Sequence, residues 1–335
     1  MCGIVGYIGN EQAAPILLDG LAKLEYRGYD SAGIAVYDGT KVATLKSKGR
    51  LKVLSELSHD GATLPGTVGI GHTRWATHGS PSDVNAHPHF NKEESIVVVH
   101  NGIIENYLKL KKKLEKKGYE FISETDTEVI AHLLDYYYKG NPLEAITKIM
   151  HRMEGSYALG IIFKDHPEEL YAVRKDSPLI VGHTENGNII ASDVPAVLKY
   201  TRDVYFIENE EIVRMTDSTM EFFTVDEEPI EIGKRKHMGI KITGDELRCR
   251  FTFDVIPRRD RTINQTINNP LVLQMSRHNM ESLDYTQDAS PGRNVFYCTR
   301  SDSAEVWEKF TQTYYSTEEE PTGYRRRECG LSVSV

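Results

Sequence analysis

Short apolar runs alternate with helical patterns through the first 230 residues, and this alternation constrains the fold more than any other feature. The runs at residues 4–8, 96–99 and 157–163 are too short for typical helices and predict buried strands. Apolar residues at helical spacing over 13–24, and the Lys-rich segment 106–117, predict amphipathic helices. Long antiparallel sheets with helices on their outer faces are the simplest way to bury both patterns.

The composition of the chain changes near residue 238. The chain has 19 Lys and 8 Arg before Met238, but 2 Lys and 11 Arg from Met238 onward. Because Lys and Arg are not physically interchangeable, such a change indicates two sequences of different origin. We predict a first domain at 1–232, a linker or fusion junction at 233–238, and a small domain of unknown family at 239–335. Both an engineered junction and a natural fusion fit this change.

The tail after the junction has its own pattern. Apolar residues alternate with polar and charged ones over 247–255, which predicts a half-buried strand, and shorter strands are predicted at 295–298 and 331–335. Asp302 and Glu305 form a capping-box pattern ahead of a helical stripe. The tail is therefore predicted to be a small α+β domain.

Charge and cysteine content exclude several classes of protein. A net charge of −9 disfavours wholesale binding to nucleic acid or to anionic membranes. The sequence has neither a long apolar run typical of a membrane span nor the pattern of a secretory signal. Its four cysteines predict neither a disulfide framework nor a metal site. We therefore expect a cytoplasmic protein that uses no cofactor.

Cys2 follows the initiator methionine, and this position is chemically informative. Methionine is normally trimmed before a small residue, so the mature chain is expected to begin with Cys2. An α-amine titrates near ~7.7–8.0 and is a plausible base for a thiol that titrates near ~8.5. One residue would then supply both nucleophile and base. The alternative is that Cys2 merely begins an apolar strand.

A thiol that attacks an amide also needs oxyanion donors and a grip on its substrate. Asn101 and Gly102 follow an apolar strand and offer an amide and a backbone N–H, although Asn-Gly is also a common turn. Arg74 follows another strand and is suited to clamping a carboxylate, with Trp75 as an apolar lid; the alternative is an exposed cation on a surface loop. Asp126 is placed either to bind an ammonium group or only to cap a helix.

Three histidines, His78, His87 and His89, suggest a metal site at first sight. No carboxylate or cysteine at ligand spacing accompanies them, so structural or loop-closing roles are favoured.

Several long motifs resemble the glutaminase domain of the glucosamine-6-phosphate synthase family, which belongs to the class II glutamine amidotransferases. The resemblance runs from residue 1 to about residue 230. It rests on six motifs, which are MCGIVG at 1–6, LEYRGYDSAG at 24–33, HTRWATHG at 72–79, NAHPH at 85–89, HNG at 100–102 and SETDTEV at 123–129. Amidophosphoribosyltransferases and asparagine synthetases share the N-terminal Cys and Asn-Gly elements, but the RWATHG loop has the synthase form.

The resemblance implies an α+β fold of the N-terminal-nucleophile hydrolase type, a four-layer αββα sandwich. It implies that Cys2 is the nucleophile, with its own α-amine as general base. Asn101 and the N–H of Gly102 would form the oxyanion hole. Arg74 would bind the α-carboxylate of L-glutamine, and Asp126 its α-ammonium.

The resemblance also implies roles for five further residues near the substrate. Thr77, His78 and Gly79 lie in the family's loop that closes over glutamine. Trp75 gates the passage of ammonia, and Arg27 matches a family arginine near the nucleophile.

We therefore expect hydrolysis of glutamine to glutamate and ammonia through a thioester on Cys2. The family continues into a sugar-phosphate isomerase domain, whereas this chain turns into the tail, so the fructose-6-phosphate site is expected to be absent. In the alternative hypothesis, the first domain is a carrier and the tail is a binding module with an unknown partner. A parent that is another glutamine-dependent enzyme fits the RWATHG loop less well.

Overall fold

A computed structural model describes residues 2–76 and 78–231, together with the backbone of five strands between residues 237 and 334. The chain divides into two compact units. The first unit comprises Met1–Thr201 and Phe206–Lys234, and the second comprises Arg202–Tyr205 and Arg235–Val335. The domain boundaries at 232 and 239 remain predictions.

The first unit contains two sheets in which neighbouring strands are antiparallel. Over the described residues, the first sheet has strands in the spatial order Ile180–Thr184 (β9), Gly187–Ala191 (β10), Gly3–Gly9 (β1), Val68–Arg74 (β4), Ser31–Tyr37 (β2) and Val42–Lys48 (β3). The hairpin between β2 and β3 pairs Tyr37 with Val42 around the Asp38-Gly39 turn, as the sequence predicts.

The second sheet lies against the first. Its described strands follow the spatial order Pro229–Ile230 (β14), Met220–Thr224 (β13), Glu211–Met215 (β12), Leu170–Lys175 (β8), Gly155–Phe163 (β7), Ile96–Ile104 (β6) and His89–Phe90 (β5). Its central strands β6 and β7 face β1 and β4 of the first sheet. The buried strand predicted at 96–99 extends to Ile104 and therefore includes the Asn101-Gly102 pair.

Helices cover the outer faces of the two sheets. The described α-helices are Ala13–Ala22 (α1), Leu51–Leu57 (α2), Tyr107–Glu115 (α3), Thr127–Tyr137 (α4) and Pro142–Met150 (α5), with 3-10 turns at Glu25–Arg27 and Val194–Ala196. Helix α1 packs on β1 and β4, α2 on β2 and β3, and α4 on β6, with α3 and α5 beside α4. The layers are therefore helix, sheet, sheet, helix, as predicted.

The sequence patterns account for these helices unequally. Helix α5 begins where the Asn141 side chain accepts a hydrogen bond from the Glu144 N–H and Pro142 fills the first turn. Helix α2 was not predicted from the sequence, because only Leu51 and Leu54 of its seven residues are buried.

Glycines allow the two sheets to approach closely. A Cβ atom at Gly6 of β1 would lie 2.7 Å from Cγ1 of Ile190. A Cβ atom at Gly160 of β7 would lie 3.2 Å from Cδ1 of the same Ile190 and 3.4 Å from Cγ2 of Ile70. Gly6 and Ile190 are paired neighbours within the first sheet, whereas Gly160 lies on the second sheet, so the contacts at Gly160 are the ones that cross between the sheets.

The second unit is described through its strands alone. They follow the spatial order Asp284–Asp288 (β17), Asn294–Thr299 (β18), Arg325–Ser334 (β19), Glu246–Val255 (β16), His237–Thr243 (β15) and Asp203–Phe206 (β11). The three strands predicted in the tail correspond to β16, β18 and β19. The helix predicted after Asp302 lies outside the described residues. His237 and Met238, which were predicted to end the junction, belong to β15 and pair with Tyr205 and Val204.

No helix in the part of the chain that the structure describes combines the length and apolarity needed to cross a bilayer.

Gly6→Ala should lower the free energy of unfolding by about 1–3 kcal/mol, because its new Cβ overlaps Ile190. Ile190→Ala removes the overlapping atoms, so the double variant should lose less than the sum of the two single losses. Urea unfolding followed by circular dichroism measures all three variants. The control is the pair Gly6→Ala and Ile149→Ala, whose two stability losses should add. Ile149 lies on the buried face of α5, in the core. If the stability losses of Gly6→Ala and Ile190→Ala simply add, the expected overlap between the new Cβ and Ile190 would be contradicted.

Candidate active site

Cys2 lies at the start of β1, beside the loop that follows β4. The Trp75 N–H donates a hydrogen bond to Cys2 Sγ at 3.2 Å, and the thiol lies 3.5 Å from the carbonyl oxygen of Trp75. Burial raises the pKa of the Cys2 thiol, while the Trp75 N–H lowers it and the Asp30 carboxylate raises it. The thiol therefore needs a base to act as a nucleophile at neutral pH.

Asn101 and Gly102 lie inside β6 rather than in a turn. Gly102 pairs with Tyr157 of β7, and it has a φ of +133°, which few residues other than glycine tolerate. A Cβ atom at this position would lie 2.0 Å from the carbonyl oxygen of Ser156. The alternative that Asn-Gly is a simple turn is therefore wrong, because Gly102 allows the strand to continue.

The Asn101 side chain joins the segment that contains Cys2 to the core. Its Nδ2 donates a hydrogen bond to the carbonyl oxygen of Cys2 at 2.9 Å, although the two residues lie 99 positions apart. Its Oδ1 lies 2.9 Å from Nε2 of His72. The predicted oxyanion donor and the predicted nucleophile are thus brought together.

Arg74 ends β4 and is buried, with 3% of its surface exposed. Its Nη2 donates hydrogen bonds to the carbonyl oxygens of His78 and Gly79, the latter at 2.9 Å. Its buried Nη1 has no hydrogen-bond partner among the described residues. The alternative of an exposed surface cation is therefore wrong, because the guanidinium is turned inward and keeps donors for a further acceptor.

Asp126 directly precedes α4, yet its side chain does not cap that helix. The buried carboxylate instead accepts a hydrogen bond from the N–H of Ile104 at 2.9 Å, two residues beyond Gly102 in β6. The carboxylate is therefore held against β6, the strand that carries the predicted oxyanion donors. The interpretation of Asp126 as only a helix cap is wrong.

The loop after β4 contains the other residues predicted to close over a substrate. Trp75 is half exposed, and its ring meets that of Tyr29 edge-on at 5.3 Å. The ring of His78 meets that of Tyr107 at 5.1 Å, and Gly79 has a φ of +78°. Thr77 lies outside the described residues.

A reciprocal pair of hydrogen bonds ties this loop to the segment that precedes Asp126. Asn85 Nδ2 donates to Glu124 Oε2 at 3.0 Å, and the Glu124 N–H donates to Asn85 Oδ1 at 3.0 Å. Asn85 Nδ2 also donates to the carbonyl oxygen of Ser80 at 2.9 Å. We call this pair of bonds the Asn85–Glu124 clasp.

Arg27 lies in the 3-10 turn after α1 and is buried. Its guanidinium forms an ion pair with Asp193 at 2.5 Å, and its Nε donates to the hydroxyl of Tyr26 at 3.1 Å. These contacts connect the turn to the end of β10. A role for Arg27 in binding substrate remains a prediction.

Four histidines cluster behind Asn101. Burial lowers the pKa of each of the four, which are His72, His87, His89 and His100. The rings of His72 and His87 stack with centroids 4.0 Å apart, and His87 Nδ1 accepts a hydrogen bond from the N–H of His100. Among the described residues, no group of three or more His, Cys, Asp or Glu side chains is placed to hold a metal ion. The cluster is a neutral, packed part of the core.

Two residues near the site were not singled out from the sequence. Asp30 accepts a hydrogen bond from the N–H of Ala76, and its own N–H donates to the carbonyl oxygen of Arg74. His72 contacts Asn101 across the sandwich. Both residues contact residues that are distant in the sequence. The sequence around each of them does not predict those contacts.

The comparisons with known proteins agree with this geometry. Residues 72–199 match the family described as a glutamine amidotransferase domain. The glutamine–fructose-6-phosphate aminotransferase (isomerizing) of Caldanaerobacter subterraneus is 60% identical over 225 residues, covering 67% of this chain and 37% of that protein. The protein of the same name from Clostridium acetobutylicum is 58% identical over 231 residues, covering 69% of this chain and 38% of that protein. The chain thus spans less than half the length of these curated relatives.

A third relative bears on the tail. The glutamine–fructose-6-phosphate aminotransferase (isomerizing) of Clostridium tetani is 48% identical over 297 residues, covering 85% of this chain and 48% of that protein. This match therefore extends beyond residue 238. The comparisons give no support to the hypothesis that the tail is a fusion partner.

Solved structures identify the fold of the first unit. The B. subtilis glutamine phosphoribosylpyrophosphate amidotransferase complexed with ADP and GMP has a TM-score of 0.60 and 27% identity, covering 67% of this chain and 49% of that chain. A structure titled as the allosteric regulatory enzyme of purine biosynthesis has a TM-score of 0.59 and 29% identity, with the same coverage. The predicted N-terminal-nucleophile hydrolase sandwich is confirmed for the first 230 residues.

The buried histidines predict that acid weakens the fold. The pKa of His72 is about 3 in the folded protein, below its ordinary value of 6.5. The unfolded chain therefore takes up a proton below pH 6.5 that the folded chain does not. The free energy of unfolding should fall as pH decreases from about 6.5, by up to about 1.4 kcal/mol per pH unit from His72 alone.

Urea unfolding at several pH values between 5 and 7.5 tests this expectation. Carboxylates such as Glu128, whose folded pKa is about 2, contribute mainly below this window. His72→Gln removes the titrating ring and should flatten the pH dependence. An equal slope in this variant would contradict the assignment.

Proposed function

Through about residue 230 this chain is a glutamine amidotransferase domain, and we propose that it hydrolyses glutamine to glutamate and ammonia with Cys2 as the nucleophile. One observation carries the proposal. The Asn101 amide contacts the carbonyl oxygen of Cys2, while Trp75 contacts the Cys2 sulfur, so an oxyanion donor and a thiol meet at one point.

The first half of the proposed reaction forms a thioester. Removal of Met1 frees the α-amine of Cys2, which accepts the thiol proton as the sulfur attacks the side-chain amide carbon of glutamine. The second Nδ2 hydrogen of Asn101 and the Gly102 N–H stabilise the oxyanion that develops on the amide oxygen. The C–N bond then breaks, and the proton passes from the α-amine to the departing ammonia.

The second half of the reaction regenerates the thiol. A water molecule attacks the γ-glutamyl thioester while the same α-amine accepts its proton. The same donors stabilise the second oxyanion. The C–S bond breaks, the proton returns to the sulfur, and glutamate is released.

The two buried charged side chains, Arg74 and Asp126, are proposed to bind glutamine. Arg74 holds the α-carboxylate through the Nη1 that has no hydrogen-bond partner among the described residues. Asp126, fixed by the N–H of Ile104, holds the α-ammonium. Residues 77–79 close over the substrate, Trp75 controls the passage of ammonia, and Arg27 supports the nucleophile segment.

The wider role is proposed from the names of the relatives. These proteins are named as aminotransferases that act on fructose 6-phosphate, and this chain spans only part of their length. We propose that this domain supplies ammonia to that reaction, in amino sugar biosynthesis. A reducing cytoplasm would keep the Cys2 thiol active.

Cys2→Ala should abolish glutamate release, because alanine has no thiol to form the proposed thioester. Glutamate dehydrogenase coupled to glutamine turnover measures the rate. Intact mass and N-terminal sequencing should show that the active protein begins with Cys2. One equivalent of an electrophilic glutamine analogue should label that residue. Unchanged turnover in Cys2→Ala would reject the mechanism.

Asp126→Asn should raise KM for glutamine by about 10–100-fold, because the loss of a charge-assisted hydrogen bond costs about 1.5–3 kcal/mol. A substrate that lacks the α-amine, 4-carbamoylbutyrate, should bind the variant and the wild-type domain with similar affinity. Arg74→Lys should weaken the binding of both substrates, because one ammonium group cannot bind the carbonyl oxygens of His78 and Gly79 and also reach the α-carboxylate as the planar guanidinium does. Arg214→Lys, at an exposed ion pair with Glu221, is the matched control. An equal KM effect of Asp126→Asn on both substrates would contradict the assignment of the α-ammonium site.

A further inference from the structure

We propose that His72 is a positioning residue that orients the Asn101 amide, so that its N–H group rather than its oxygen faces the reacting thiol. This inference rests on the proposed function and assigns a role to a residue outside the predicted site. Its basis is a hydrogen bond that crosses from one sheet of the sandwich to the other.

Both ends of the Asn101 amide are engaged. Oδ1 lies 2.9 Å from His72 Nε2, and Nδ2 donates to the carbonyl oxygen of Cys2 at 2.9 Å. A carbonyl oxygen only accepts hydrogen bonds, so Nε2 of His72 must carry the proton. Reversing the amide would place Oδ1 against the Cys2 carbonyl oxygen, and two acceptors would then face each other. The Cys2 carbonyl therefore selects the orientation, and the N–H of His72 holds the amide oxygen in it.

The His72 ring is itself held in place. It is completely buried and stacks on His87 at an interplanar angle of 13°. Burial keeps the ring neutral, with a pKa of about 3, so it carries a single proton, and the Asn101 oxygen opposite Nε2 assigns that proton to Nε2. The donor toward Asn101 is therefore present at every pH at which the domain works.

The bond also links the two sheets at the site. His72 lies on β4, where it pairs with Ile4 of β1, two residues beyond Cys2. Asn101 lies on β6 of the opposite sheet. The ring thus fixes the amide relative to the strand that carries the nucleophile. One amide hydrogen binds the Cys2 carbonyl, and the other remains for the developing oxyanion.

His72→Phe tests the role of this donor, because it keeps an aromatic ring of similar breadth but removes the N–H group. The kcat for glutamine should fall by about 10–100-fold, less than or comparable to the loss of a whole oxyanion donor. KM should change by less than about threefold, because Arg74 and Asp126 are untouched. His72→Gln places an amide N–H near the position of Nε2 and should restore kcat to within about threefold of the wild-type value.

A second readout separates positioning from a structural role. Alkylation of Cys2 by iodoacetamide forms no oxyanion, so its rate in His72→Phe should stay within about twofold of the wild-type rate. The matched control is His183→Phe, which breaks a similar 2.9 Å His–Asn contact, to Asn188, between β9 and β10. It should leave both rates unchanged. If His72→Phe does not fold, His72→Asn, whose amide is too short to reach Asn101, takes its place with the same expected loss.

Two results would overturn the inference alone. One is a wild-type kcat in His72→Phe, or in His72→Asn where that variant is used. The other is a parallel fall of turnover and alkylation in that variant, which would show that the ring only supports the fold. Glutamate release that survives Cys2→Ala would instead overturn the proposed function together with this inference.

Discussion

The close approach of the two sheets is the constraint on which the candidate site depends. Gly6 and Gly160 leave room for Ile190 between the layers, and the strands that carry the chemistry can therefore meet. Cys2 enters from one sheet and Asn101 from the other, and their 2.9 Å hydrogen bond exists only at this spacing. Bulk added between the layers would separate the sulfur from its donors as well as strain the core.

The distribution of charge follows from burial. Arg74 and Asp126 are both almost wholly enclosed, and their described hydrogen-bond partners are neutral backbone groups. The histidines behind Asn101 are also neutral, because burial disfavours their charged forms. The described hydrogen bonds of Arg74 and Asp126 therefore leave both charges without a charged partner. Glutamine, the proposed substrate, is a zwitterion whose two charges would pair with both side chains at once.

The sequence predicts those features that depend on local pattern. Apolar runs locate the central strands, the helical patterns over 13–24 and 106–117 locate α1 and α3, and motif residues such as Arg74 follow strand ends. Contacts between distant segments carry no local signal. Asn-Gly usually indicates a turn, but Gly102 tolerates a φ that lets β6 continue through it. The bond from His72 to Asn101 depends on how the two sheets stack, which neither residue's neighbours reveal.

The Asn85–Glu124 clasp joins two segments that lie 39 residues apart in the sequence. One segment lies over Arg74 and the other leads into Asp126, so the proposed carboxylate and ammonium sites share a mechanical connection. Displacement of either loop would pull on the other. In the proposed function, the groups that hold the two ends of glutamine are therefore joined through the protein as well as through the substrate.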